Sequence, residues 1–195
     1  REPQEHGQSI RTKRAIASDL PRLHFVSGCL AMAYGRRARA GMRIGVLKLC
    51  VPTVQGNHDA NAVRHAELER SAMASDTIAW LDALPRRRDY LWACKRVALA
   101  HASLAADWTA IRPGLVPKRM RRELRRSDPD VVLLGHSHIP MQFGFAHHWL
   151  CNPGSITKGR CRLGPTCAVL VLPSVEFEVY SMDTGERVGL SRSDQ

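Results

Sequence analysis

One short apolar run, Val131-Val-Leu-Leu134, is closed by Gly135 and followed by His136 and His138. Four consecutive apolar, partly β-branched residues predict a short buried strand. Gly135 permits a sharp change of direction, and Pro140 stops further regular pairing. In an extended segment positions i and i+2 face the same side, so His136 and His138 are expected to look into one small volume beyond the strand. Val51 to Gln55 and Arg96 to Ala100 predict two more such strands, ending at Gly56-Asn57-His58-Asp59 and at His101.

Leu23 to Ser27 and Asp89 to Ala93 also read as strands. Met141 to Phe145 and Trp149 to Cys151 suggest a hairpin around His147-His148, and Cys167 to Leu172 with Val175 to Tyr180 a second one across Pro173-Ser174. Helical spacing is weak over 8–19, clearer from Ala60 to Met73, and firm from Ser75 to Leu84. There Ile78, Leu81 and Leu84 share a face, Ser75 is placed as the N-cap and Pro85 ends the helix. Ile44 to Cys50 reads as a short helix, and Pro117 to Arg126 as a basic helix with proline in its first turn. Residues 29–43 are anomalous, and from Leu30 onward they follow neither period. Strands mixed with helices, then a strand-rich C-terminus, predict an α/β sandwich of mixed sheets. A length of 195 residues suits one domain, 1–195.

Charge changes the picture next. Twenty-nine Lys and Arg against 18 Asp and Glu leave a net +11, concentrated in Arg36-Arg37, Arg86-Arg87-Arg88 and Arg119 to Arg126. Such a surface attracts phosphate-bearing ligands. No aromatic residues interleave with the arginines as platforms for single-stranded nucleic acid, so a nucleic-acid partner rests on charge alone. No run of about 18 apolar residues is present, and no membrane partner is expected. The start lacks an apolar signal segment and an initiator methionine, so an incomplete N-terminus is expected. Six cysteines form no C-x-x-C pair, which predicts free thiols in the cytoplasm.

Three predicted strand ends thus carry residues of metal-ligand type, and open α/β folds build their sites beyond the carboxyl ends of strands. The succession Gly56-Asn57-His58-Asp59, Leu99-Ala100-His101 and Gly135-His136-Ser137-His138 resembles the motifs of the calcineurin-like metallophosphoesterase superfamily. Asn152-Pro-Gly-Ser-Ile156 resembles its small, single-domain phosphodiesterase branch, and Glu5-His6-Gly7-Gln8 the end of the family's first motif. Gly28-Cys29 and Tyr34-Gly35 resemble its Gly-Asp motif and the Gly-Tyr-Gly that follows. The resemblance implies a four-layer αββα sandwich of mixed sheets flanked by helices. It implies two divalent metals (manganese, zinc, iron or magnesium), one on Asn57, His101 and His136, the other on His6 and His138. His58 would be the catalytic general acid and Asp59 would orient it. A metal-bound hydroxide would attack the phosphorus of a small phosphate ester or nucleotide.

Two family aspartates are replaced: Gln4 stands in the first motif, and Cys29 at or near the bridging position. Two dications ~3.5 Å apart repel by about 19 kcal/mol even at an effective dielectric of ~20. A shared carboxylate normally offsets that repulsion. A Cys29 thiolate is a softer bridge that favours zinc. One tightly bound metal at most, and weak or absent hydrolysis, are therefore expected. The alternative is a non-catalytic binding scaffold that keeps the fold. The flanks of 29–43 fit the family and its interior does not, as two compensating frameshifts would produce. A nucleotide sequence with no alternative frame encoding Gly-Asp and Gly-Tyr-Gly there would rule that out.

Overall fold

The protein is described by a computed structural model over residues 22–25, 51–68, 73–157 and 159–190. Its elements in chain order are β1 (Arg22–Phe25), α1 (Asn57–Leu68), α2 (Ser75–Asp82), β2 (Arg87–Trp92), β3 (Lys95–Ala100), α3 (Lys118–Ser127), β4 (Val131–Leu133), β5 (Met141–Phe145), β6 (His148–Asn152), β7 (Thr166–Val171), β8 (Glu176–Ser181) and β9 (Arg187–Val188). They form a mixed five-stranded sheet in the order β2-β3-β4-β6-β5 and a four-stranded sheet in the order β1-β7-β8-β9. In the first sheet β4 lies parallel to β3 and to β6, while β2 and β5 pair antiparallel at the edges. The second sheet is antiparallel throughout.

Alternation along the central strands assigns each face its partner. Ala98, Ala100, Val132, Leu134 and Leu150 pack with Met120 and Leu124 of α3 on one side. Val97, Leu99, Val131, Leu133 and Cys151 pack on the other side with Leu170, Phe177 and Val179 of the second sheet. Both faces are covered, which is why β4 is a continuous apolar run rather than an alternating one. α3 buries Met120, Glu123 and Leu124, one stripe at helical spacing, and leaves its arginines outside. α1 and α2 pack on each other through Val63 and Leu81, with Leu84 just past α2 in the same cluster. The result is a β-sandwich with helices against it, the fold class predicted. The segments 8–19, 29–43 and Ile44–Cys50 lie outside the described residues.

Several boundaries differ from the sequence reading. Val51–Gln55 is not a strand: Pro52 lacks a ladder donor, Val51 is exposed, and Gln55 Nε2 donates to Leu81 O at 2.9 Å. Helix α1 begins at Asn57 rather than Ala60, because the Asp59 carboxylate accepts the Gly56 N–H at 2.8 Å and completes the first turn. Ala74, not Ser75, is the N-cap of α2, which ends at Asp82. Pro117 is the N-cap of α3 instead of a first-turn residue. The two-residue strand β9 has too few positions to show an alternation. Among the described residues no helix is long and apolar enough to cross a membrane.

Candidate functional site

The parallel strands β3, β4 and β6 end at one edge of the sheet, and the chemistry-bearing residues gather there. His101 follows β3 directly, His136 lies three residues past β4, and Asn57 opens α1. The Asn57 side-chain oxygen is 3.0 Å from His101 Nε2 and 3.3 Å from His136 Nδ1. The two imidazoles meet edge to face, with centroids 5.2 Å apart. Three segments distant in sequence thus bring a ring nitrogen of each histidine within hydrogen-bond distance of one amide oxygen.

The loop after β4 is held by backbone and by one buried side chain. Gly135 N–H donates to His101 O at 2.8 Å, and Leu134 N–H to Cys151 O at 2.8 Å. Asn152 is fully buried; its Nδ2 donates to Gly135 O at 2.5 Å and to Ser137 Oγ at 3.1 Å, while its Oδ1 accepts Gly154 N–H at 2.8 Å. His136 and His138 do not share the extended conformation expected of them. Both are left-handed, with φ of 62° and 57°. That conformation is costly outside glycine and concentrates at functional sites.

Burial and the neighbouring imidazoles of His136, His138 and His58 push His101 down to about 3. His136 is lowered by burial and by His58 despite a raising hydrogen bond to the Trp108 backbone, and His138 by burial, Arg160, His136 and His58. His58, His136 and His138 are all near enough to His101 to disfavour its charged form. Near neutral pH His101, His136 and His138 are uncharged and keep nitrogen lone pairs for a ligand. Asp59 is buried beneath, its carboxylate on the Gly56 amide. His6, Gln4 and Cys29 lie outside the described residues.

Two contributors have no part in the site on the sequence reading, though Asn152 opens a stretch that resembles a family motif. Asn152 braces the histidine loop; an asparagine ending an apolar strand before Pro-Gly was the available signal. Trp108 stands edge-on to His101 at 6.2 Å and carries the Arg86 guanidinium 4.8 Å over its ring. Its stretch, 101–116, has no periodicity that would single it out.

Comparison with solved structures places this architecture. A hypothetical protein from Pyrococcus horikoshii OT3 matches with a TM-score of 0.59 at 11% identity, over 80% of this chain and 72% of that one. This likeness shows the fold. A conserved predicted phosphoesterase from Streptococcus pneumoniae TIGR4 matches at TM-score 0.43 and 18% identity, over 55% of this chain and 60% of its own. Vacuolar protein sorting 29 from Cryptosporidium parvum matches at TM-score 0.40 and 20% identity, over 54% of each chain. The match therefore spans little more than half the length of these last two proteins. No curated protein matches the sequence. The calcineurin-like phosphoesterase superfamily domain matches residues 38–174, well over half of the chain, and takes in the described site residues. The chain belongs to the calcineurin-like phosphoesterase superfamily.

Proposed function

We propose that this chain is a metal-dependent phosphoesterase, hydrolysing a phosphodiester or phosphomonoester, with one divalent ion held by Asn57, His101 and His136. The convergence of Asn57 Oδ1 with His101 Nε2 and His136 Nδ1 at 3.0 and 3.3 Å carries the reading. Donor atoms so spaced fit around one ion with bonds of ~2.0–2.2 Å. The donor set also fits: an uncharged amide oxygen and two neutral imidazoles suit manganese, iron or zinc. When bound, such an ion supplies Lewis-acid polarisation of the phosphoryl group and a more acidic water.

The chain's own residues bind and position the ester. His58, on the first turn of α1, protonates the leaving oxygen, and Asp59 fixes that turn through the Gly56 amide. Trp108 stands edge-on to the His101 ring and covers part of it. A cavity of about 280 Å³ is lined by His138, Ile139, Pro140, Arg160 and Arg162. Its arginines attract the anionic ester, a small molecule or nucleotide, and its apolar wall takes the uncharged part. His138 with His6 is the second half-site, which Gln4 and Cys29 leave short of carboxylates. We therefore assign one tightly held ion per chain and slow turnover. The described cysteines are free, which supports the cytoplasmic location that we assign.

The test is hydrolysis of bis(p-nitrophenyl) phosphate with added manganese, before and after chelation, compared with His58→Ala. A slow, metal-dependent rate that drops by roughly 10²-fold or more in the variant is expected. Equal background rates in both proteins would replace this reading with a non-catalytic scaffold. Two tightly held ions by metal analysis would remove the single-ion assignment.

A further inference from the structure

The opposite end of the same sheet holds a second cluster of ligating side chains. Helix α3 ends in a left-handed C-cap at Asp128, φ 48°, whose N–H donates to Leu124 O at 2.8 Å. Aspartate tolerates that conformation, and Pro129 prevents the helix from continuing. The cap projects the Asp128 carboxylate toward the two-residue turn between β5 and β6, where Ala146 is left-handed and His147 follows it. His148 then enters β6 and is buried.

Asp128 Oδ1 lies 2.5 Å from His147 Nε2. His148 donates from Nδ1 to Pro129 O at 2.7 Å. A proline carbonyl can only accept, so Nδ1 carries the proton of neutral His148 and Nε2 carries the lone pair. A backbone carbonyl on one ring nitrogen is the usual device that orients the other toward a metal. The two rings stand 3.9 Å apart, and one ligand atom from each of Asp128, His147 and His148 lies within 4.8 Å of the others. An ion pair alone would need one imidazole; the second, buried and fixed in its tautomer, exceeds that need. Arg96 Nη2 binds Asp128 Oδ2 at 2.5 Å, which leaves Oδ1 facing the histidines. A cavity of about 400 Å³ lined by Gly144, Ala146, His147, His148 and Trp149 gives an ion access and room for water.

We infer that Asp128, His147 and His148 form a second transition-metal site, selective for zinc-like ions, which clamps the β5–β6 turn to the C-terminus of α3. Two imidazoles and one carboxylate are a borderline-soft set with an open fourth position. The site lies at the start of β4 and β6, and the phosphoesterase candidate lies at their ends. About four residues at ~3.3 Å each separate the two, so no side chain is shared. The inference does not rest on the phosphoesterase reading.

Cobalt titration of the full chain, followed by ligand-field absorption, counts the ions. Long-range proton–nitrogen spectra with added zinc locate them on the rings. Asp128→Asn/His147→Gln is expected to bind one cobalt fewer than the wild-type chain while keeping its rate on bis(p-nitrophenyl) phosphate. Asn57→Ala/His136→Ala is expected to retain the His147 ion, whatever happens to hydrolysis. In the wild type, zinc is expected to shift the Nε2 resonances of His147 and His148. His147→Gln alone, at a side chain 63% exposed, gives the same count should the double variant fold poorly. An unchanged cobalt count in these His147 variants, or a His148 Nε2 resonance unmoved by zinc, overturns the inference.

Discussion

Gly154 has φ of 93°, and a Cβ placed on it would lie 2.1 Å from Thr166 Oγ1 and 2.8 Å from Pro140 Cγ. Any side chain there meets both a steric overlap and a backbone region that L-residues rarely adopt. Gly154→Ala is expected to lower unfolding stability by about 2 kcal/mol or more, read as a lower denaturant midpoint. It should also loosen the histidine loop, because Gly154 N–H holds the Asn152 amide in place. At this scale the motif resemblance grouped Asn57, His101 and His136, and the fold brings these three side chains near one another. The sequence was silent on Trp108, whose ring and carbonyl acquire their neighbours only through tertiary contact. It misdirected on His136 and His138, since left-handed histidines leave no trace in an apolar–polar pattern.

Helix α3 shows how an element this basic is held. Its buried stripe is short, Met120 and Leu124 with Glu123, and Glu123 is held at 2.6 Å by Arg126. Leu124 is fully buried against the five-stranded sheet. Leu124→Ala is expected to cost about 2–5 kcal/mol, whereas Arg125→Ala on the solvent side should change stability by no more than about 0.5 kcal/mol. Chemical denaturation of the two variants checks the contrast. The apolar runs of β3, β4 and β7 and the alternation of β8 were legible because burial on both faces or on one face of a sheet demands just such residues. Val51–Gln55 also carries two valines, but its proline removes it from a ladder. Among the described residues its Gln55 N–H donates instead to Pro85 O, and its Thr53 O accepts from the Arg88 side chain.

For the molecule as a whole the histidine cluster makes stability depend on pH. His101 has a folded value near 3 against an ordinary 6.5, so the unfolded chain binds more protons between those values. Stability therefore rises with pH across that window. The contribution is fully present above about 6.5 and is lost as pH falls toward 3, with an upper bound of ~5 kcal/mol for the full shift. His136 and His138 are lowered in the same direction and add to the loss. Melting of the chelated protein is expected at progressively lower temperature from pH 7 to pH 4, with a flatter profile for His101→Gln. A melting temperature independent of pH over that range would contradict the assignment. The family domain that covers residues 38–174 also fits what the sequence motifs led us to expect of the fold.

Strand β4 runs from one cluster to the other, with Asp128 ahead of it and His136 beyond it. Its three residues are buried on both faces and paired on both edges, by β3 and by β6. Communication between two binding events requires an element with two arrangements that each ligand favours differently. A strand enclosed on four sides offers no second arrangement. Occupancy at its two ends should accordingly be statistically independent, with a coupling free energy near zero.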